Sequence, residues 1–189
     1  MDILSIIIIV LIVVVIIFPL MIYNALIRRK NQVENTFASL DALLKKRYDL
    51  IPNLIATVKN YMEFEKDTLT KITELRTKAI SSNLTTEEKV ELNNEITHAI
   101  GKVQVAVENY PDLKSSQNFL QLQASLNEVE EQISAGRRAY NAIVTQYNNA
   151  VEMFPSNIMA KLMGFKRRGV FVINEQERQN VDVKNLFKQ

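Results

Sequence analysis

From Ile3 to Ile22 the chain reads ILSIIIIVLIVVVIIFPLMI, with no charged residue, and beyond it apolar residues recur at steps of three and four. At about 1.5 Å rise per residue, a helix of that length spans about 30 Å, the thickness of a bilayer's hydrocarbon core. The run is predicted to cross a membrane once, closing its own backbone hydrogen bonds. Pro19 lies near its far end, where a local kink is tolerable. A cleaved signal peptide would show a positive leading region, a shorter apolar stretch and a small-residue cleavage site. Here only Met1 and Asp2 precede the run, and no A-x-A pattern follows it.

Behind this anchor the three-and-four periodicity predicts four helices packed on their apolar stripes. The first continues out of the membrane through Val33, Phe37, Leu40 and Leu44 and ends about Tyr48, because Pro52 disfavours helix at Ile51. The second runs from about Asn53 to Ile80, with Ile55, Val58, Met62, Leu69, Ile72 and Ala79 on one stripe. Ser81, Ser82 and Asn83 break it, and Thr85 followed by Glu88 forms a capping box for the third. That helix carries Leu92, Ile96, Ile100, Val103 and Val107 and stops at Tyr110-Pro111. The fourth starts near Ser115 or Ser116 and carries a stripe from Phe119 through Ile133, Gly136, Tyr140, Val144, Tyr147 and Val151 to Phe154. Its alternation of three and four predicts left-handed coiled-coil packing. Gly136, about 1 kcal/mol worse than Ala inside a helix, marks a close backbone approach or a bend. The Tyr140-Asn141 and Tyr147-Asn148 pairs, seven residues apart, are expected to repeat one seam contact. The fold class is therefore all-α: one N-terminal transmembrane helix (1–23) continuing into an elongated antiparallel four-helix bundle (24–165), then a basic tail (166–189).

Composition supports helix over sheet, since only four Gly and three Pro follow the anchor. Charge then adds direction. Arg28, Arg29 and Lys30 stand immediately behind the apolar run and only Asp2 before it. Basic flanks favour the cytoplasmic side, so the expected topology is single-pass in a bacterial cell membrane, N-terminus outside and helical domain in the cytoplasm. An Asn83-Leu84-Thr85 triplet matches a glycosylation sequon, which would favour the opposite side, but such triplets arise easily by chance. Residues 28–47 carry net charge +4, 87–131 carry −6 and 155–189 carry +4. These blocks are ordinary solvated helix faces, or basic parts lying near an anionic bilayer surface. Strict alternation of helix direction would return the C-terminal end to the membrane. There Met159, Leu162, Met163 and Phe165 accompany Lys161, Lys166, Arg167 and Arg168, a pattern that serves either membrane contact or a cap over the bundle's end.

Several blocks together resemble the LemA family of bacterial membrane proteins. They are Tyr23-Asn24 onward, LDALLKKRYDLIPNLIATVKNY from Leu40, NFLQLQ from Asn118, ISAGRRAYNAIVTQYNNAVEMFP from Ile133 and AKLMGF from Ala160. The likeness covers about Tyr23 to Phe165 and fades after Phe171. Phe37 stands where the family often has Trp, and Gly136 where Ala is usual. The resemblance implies a four-helix, up-and-down-like bundle behind one membrane helix, without an established enzymatic activity. Its relatives include a protein of magnetosome membranes, a hint of membrane organisation by analogy.

Cysteine is absent and His98 is the only histidine, which excludes Cys nucleophiles, disulfides and zinc sites built on several His or Cys. His98 is expected on a helix surface. Gly164 and Gly169 have P-loop spacing, but Val170 stands where Lys is required. The polar residues on or beside the stripes are Asp41 and Arg47, Glu65 and Arg76, and Glu130, Arg137 and Asn141, which match recurring polar positions of the family. A di-metal bundle site would need Glu-x-x-His pairs that this chain lacks. A buried polar network fixing helix register is expected instead. No catalytic residue, metal, cofactor, nucleic acid or small-molecule substrate is expected; the partners are membrane lipid and further copies of the chain. The candidate lipid-surface residues are Arg28, Arg29, Lys30, Lys161, Phe165, Lys166, Arg167 and Arg168. Three roles compete: a self-associating scaffold that organises the membrane, an adaptor docking another membrane protein or protease in envelope homeostasis, and, least supported, a hydrolase or metal-dependent enzyme using buried carboxylates.

Overall fold

The computed structural model describes residues 2–62, 66–81 and 84–171, with the side chain of residue 87 also left aside. Every regular element in it is helical: α1 (Ile3–Val58), α2 (Lys66–Ala79), α3 (Thr86–Val107), α4 (Pro111–Lys114), α5 (Gln117–Glu152) and α6 (Ser156–Leu162). The all-α class is thus observed, and the first third of α1 is long and apolar enough to cross a membrane. Its residues 3–18 are all exposed, and Leu26 is the first to be buried.

The largest departure from expectation is at Pro52. The sequence placed a helix break there; instead α1 continues through it to Val58. Proline lacks the N–H that would bond the carbonyl four residues back, which here belongs to Tyr48. That carbonyl does not go unsatisfied, because Arg76 Nε donates to it at 2.9 Å. With the freed acceptor served from outside and the ring itself exposed, the helix passes the proline. Residues 53–58, assigned to a second helix by periodicity, therefore belong to α1, and α2 begins only at Lys66. The buried positions are nonetheless those of the stripes: Leu54, Val58 and Met62, then Leu69, Ile72, Leu75 and Ala79.

The capping box opens α3 as expected. Glu88 N–H donates to Thr85 Oγ1 at 3.2 Å and Thr85 N–H to Glu88 Oε2 at 2.7 Å. These bonds hold the Glu88 carboxyl below its ordinary range, the backbone bond more than the hydroxyl one. Pro111 starts the short α4 at a position where its missing N–H costs nothing. The stripe of the fourth predicted helix is buried from Phe119 to Tyr147, except at the half-buried Gly136. Phe154 is not: it is 79 % exposed, because α5 stops at Glu152 and the chain turns before α6.

The described chain divides into two compact units. One comprises the chain up to Leu43 with Glu130–Val170; the other comprises Leu44–Val129 and Phe171. In the first, α1 and α5 run antiparallel. Leu40 Cδ1 lies 3.0 Å from where a Cβ on Gly136 would be, Phe37 stacks at a tilt on Tyr140 (5.7 Å between centroids), and Arg29 Nη1 donates to Gln146 O at 3.0 Å. Gly136 is thus the close approach its position suggested. In the second unit, residues 46–48 of α1 are met from three directions. Arg76 of α2 bonds Tyr48 O, Asn93 and Thr97 of α3 receive the Arg47 guanidinium, and Glu128 of α5 lies 3.6 Å from Lys46.

Candidate membrane-proximal site

In the first unit, the chain after α6 is built to return to α1 just where the apolar run ends. Gly164, at φ +70°, takes the left-handed conformation that closes α6. Phe165 N–H reaches back to Ala160 O at 2.9 Å and Gly164 N–H to Lys161 O at 3.4 Å, the paired bonds of a Schellman cap. A side chain at residue 164 would meet no neighbour, so the glycine is required by conformation rather than by space.

The turn delivers Phe165 edge-on to Tyr23, 6.4 Å between centroids with an interplanar angle of 68°. Such a pair contributes about 0.5–1.5 kcal/mol beyond its area. Two residues of α5 then secure the segment by its backbone. Tyr147 Oη donates to Lys166 O at 2.9 Å. Asn148, itself buried, donates from Nδ2 to Arg168 O and accepts from Arg168 N–H, both at 2.9 Å. Ion pairs frame this clamp: Arg168 Nη2 lies 3.2 Å from Glu34 Oε1, Lys30 approaches the same carboxylate at 3.9 Å, and Arg167 lies 3.4 Å from Glu152. Burial raises the Tyr147 phenol above its ordinary range, with the nearby Arg168 charge pulling the other way. The segment leaves an open cleft of about 510 Å³ against Tyr23, Ile27 and Lys30, edged by Met163, Lys166 and Arg167.

Of the residues expected at a lipid surface, Arg28, Arg29, Lys161, Lys166 and Arg167 are exposed, and Lys30, Phe165 and Arg168 are half-buried. Six of the eight, Arg29, Lys30, Phe165, Lys166, Arg167 and Arg168, take part in the bonds or line the cleft described above. Tyr147, Asn148 and Gly164 organise this site and were not singled out for it by sequence. In the two Tyr-Asn pairs, Tyr140 stacks on Phe37, and Tyr147 and Asn148 hold the returning backbone. A Lys-x-x-Gly end to a short apolar helix was the available signal for Gly164.

The expected polar-network residues fall in both units. Asp41, Glu130, Arg137 and Asn141 are half-buried in the first. Arg47 belongs to the second and is 1 % exposed. Its guanidinium donates to Thr97 Oγ1 at 2.8 Å, to Asn93 O at 3.2 Å, and to Asn93 Oδ1. Asn93 is also buried, a polar partner that the apolar stripe of α3 concealed. Arg76 serves Tyr48 O as described. Glu65 lies outside the described residues. His98 is exposed, at the edge of a shallow groove of about 320 Å³ that also touches Asp67, Lys71, Glu95 and Lys102. Among the described residues no group of three His, Cys, Asp or Glu stands close enough to hold a metal ion.

Comparison with known proteins gives these contacts a family. Over 163 residues the chain is 31 % identical to Protein LemA of Metamycoplasma hominis, covering 86 % of this chain and 74 % of that one. It is 22 % identical over 177 residues to magnetosome proteins MamQ 1 and MamQ 2 of Paramagnetospirillum magneticum, and it spans 80 % of its own length and 65 % of theirs. A 70-residue stretch is 33 % identical to magnetosome protein MamQ of Magnetospirillum gryphiswaldense, 37 % of this chain and 26 % of that one. The sequence model of the LemA family matches residues 36–185, which takes in the Phe37 and Leu40 contacts of α1 with α5 and the returning segment, and the chain belongs to the LemA family.

Proposed function

We propose that this chain is a non-enzymatic, membrane-anchored helical scaffold that self-associates and organises or remodels the bilayer. The observation that supports it most is the unbroken α1, Ile3–Val58, in which the apolar span and the first helix of the folded part are one element. A flexible tether would let the soluble part pivot freely. A continuous helix, tied at its exit by Phe165 on Tyr23 and by Arg29 on Gln146, transmits orientation to the bilayer instead. The exit carries Arg28, Arg29 and Lys30, which favours the soluble part on the cytoplasmic side of a bacterial cell membrane. The half-buried Asp41, Glu130, Arg137 and Asn141 fit a polar network that fixes the register of α1 on α5. The magnetosome names of the MamQ relatives lend further weight to a structural role.

The test is reconstitution of the full chain into vesicles, imaged by electron microscopy, with light scattering of the detergent-solubilised protein across concentration. Ordered arrays or deformed vesicles together with a concentration-dependent mass are expected. A protein that stays monomeric and leaves vesicles unchanged would overturn the scaffold. Cross-linking in cells that captures one other membrane protein and no second copy would replace it with an adaptor.

A further inference from the structure

We infer that the elbow joining α5 to α6 is a second membrane contact, in which Met153, Phe154, Ile158 and Leu162 enter the interfacial layer beside the membrane helix. This rests on the membrane-anchored reading above, and not on self-association. The register of α1 on α5 places the elbow. Arg29 bonds Gln146, and seven residues on from this pair stand Ile22 in α1 and Met153, the first residue after α5. Ile22 is the end of the apolar run. The turn after Glu152 therefore comes level with the bilayer's edge, and the contact of Phe165 with Tyr23 lies at the same level.

At this level the chain is apolar outward. Phe154 is 79 % and Leu162 76 % exposed, and Met153, Ile158 and Met163 are each more than half exposed. The one fully buried residue of α6 is Ala160, at 1 %. A helix that merely capped the core would turn its large residues inward; α6 instead buries Ala160, half-buries Met159 and exposes Ile158 and Leu162. Ile158 and Leu162, four apart, share one outward face. Beside them Lys161 and Lys166 are exposed and have no ion-pair partner among the described residues, so their charges are available to anionic headgroups. Apolar residues flanked by uncompensated cations, level with the end of the apolar run of α1, fit an anionic lipid surface rather than water.

The chain has no cysteine, so single cysteines can be introduced at Phe154, Leu162, Ile12 and Val105 and labelled with an environment-sensitive fluorophore. Val105 is the control, an exposed apolar residue of α3. The full chain is reconstituted in vesicles of phosphatidylcholine with phosphatidylglycerol, with and without lipids carrying a shallow or deep nitroxide quencher. Labels at residues 154 and 162 should shift to the blue and be quenched by the shallow probe, the label at 12 by the deep probe, and the label at 105 by neither. The signals at 154 and 162 should persist when protein is diluted into excess lipid and weaken in the K161E/K166E double variant. Labels at 154 and 162 that stay in water while the label at 12 is quenched would overturn the elbow contact alone. An unquenched label at 12 would overturn the membrane-anchored reading beneath it. Signals that vanish on dilution would assign the elbow to a second copy and overturn the lipid contact.

Discussion

The passage of α1 through Pro52 makes a quantitative claim about two residues distant in sequence. If Arg76 Nε replaces the backbone donor that proline removes, Arg76 should matter only while the proline is present. In the natural chain, Arg76→Ala takes a charged donor from the carbonyl of a buried residue, Tyr48. Hydrogen bonds to charged groups contribute about 1.5–3 kcal/mol, so a loss of that size is expected. In a Pro52→Ala background the backbone N–H restored at this position can reach Tyr48 O four residues back. Arg76→Ala should then cost less than about 1 kcal/mol, leaving a coupling of about 1–2 kcal/mol between two residues 24 apart in the chain. Pro52→Ala by itself should stabilise, though by less than the about 3 kcal/mol that a helix-interior proline costs, because Arg76 already offsets part of it. The assay is urea unfolding of the four proteins of the cycle in detergent micelles, followed by helix content. Strictly additive losses, with a coupling below about 0.3 kcal/mol, would show that Arg76 is not what lets the helix continue.

Asn148→Ala removes both bonds to the Arg168 backbone; losing about 1–3 kcal/mol there should speed hydrogen exchange of residues 163–170 by about 5- to 150-fold without unfolding the rest. Unchanged exchange would refute the clamp. Gly136→Ala should change stability by less than about 1 kcal/mol, since better helix propensity opposes a 3.0 Å approach to the movable end of Leu40, whereas Gly136→Leu should cost about 1–3 kcal/mol in the same urea assay. Arg47→Ala should cost about 2–4 kcal/mol, stranding Asn93 and leaving a void, and Arg47→Lys should recover less than half, because one ammonium cannot serve Asn93 and Thr97 as a planar fork does. Burial favours the neutral Tyr147 phenol, so its contribution is intact below the unfolded value of about 10 and is lost as pH rises through the higher folded value. Ultraviolet titration should show a tyrosine ionisation above the ordinary range that is absent in Tyr147→Phe.

The sequence carried the positions of burial more faithfully than the positions of helix ends. Val33, Leu40, Leu44 and Val58, or Ile133, Tyr140, Val144 and Tyr147, follow from spacing alone, because an apolar side chain at every third or fourth residue has one way to leave water. The joint at Pro52 did not follow, since its outcome depends on Arg76, a residue on another helix whose approach no local rule encodes. Thr85 and Glu88 were legible for the opposite reason: both partners of the cap lie within one turn. The membrane-proximal site was legible as a class of residues but not as an arrangement. Basic and aromatic residues near Phe165 announced a surface, whereas Asn148 looked like one more helical asparagine until Arg168 came to it. Phe154 continued a heptad stripe on paper, and only the end of α5 turned it outward.

The bonds that hold the returning segment go to its main chain, and this determines what its side chains are free to do. Tyr147 takes the carbonyl of Lys166, and Asn148 takes both backbone groups of Arg168. A side-chain clamp would have consumed the charges that distinguish this stretch; a backbone clamp leaves the Lys166 ammonium exposed and lets Arg167 and Arg168 exchange Glu152 and Glu34 for other anions. Those pairs are more than a third exposed on each side, so each contributes about 0–1 kcal/mol and gives way readily. The structure therefore separates placement from electrostatics: Gly164, Tyr147 and Asn148 set where the segment lies, and the lysines and arginines set what it meets. Charge at residues 166–168 can change without moving the segment, but the loss of Asn148 moves every charge at once.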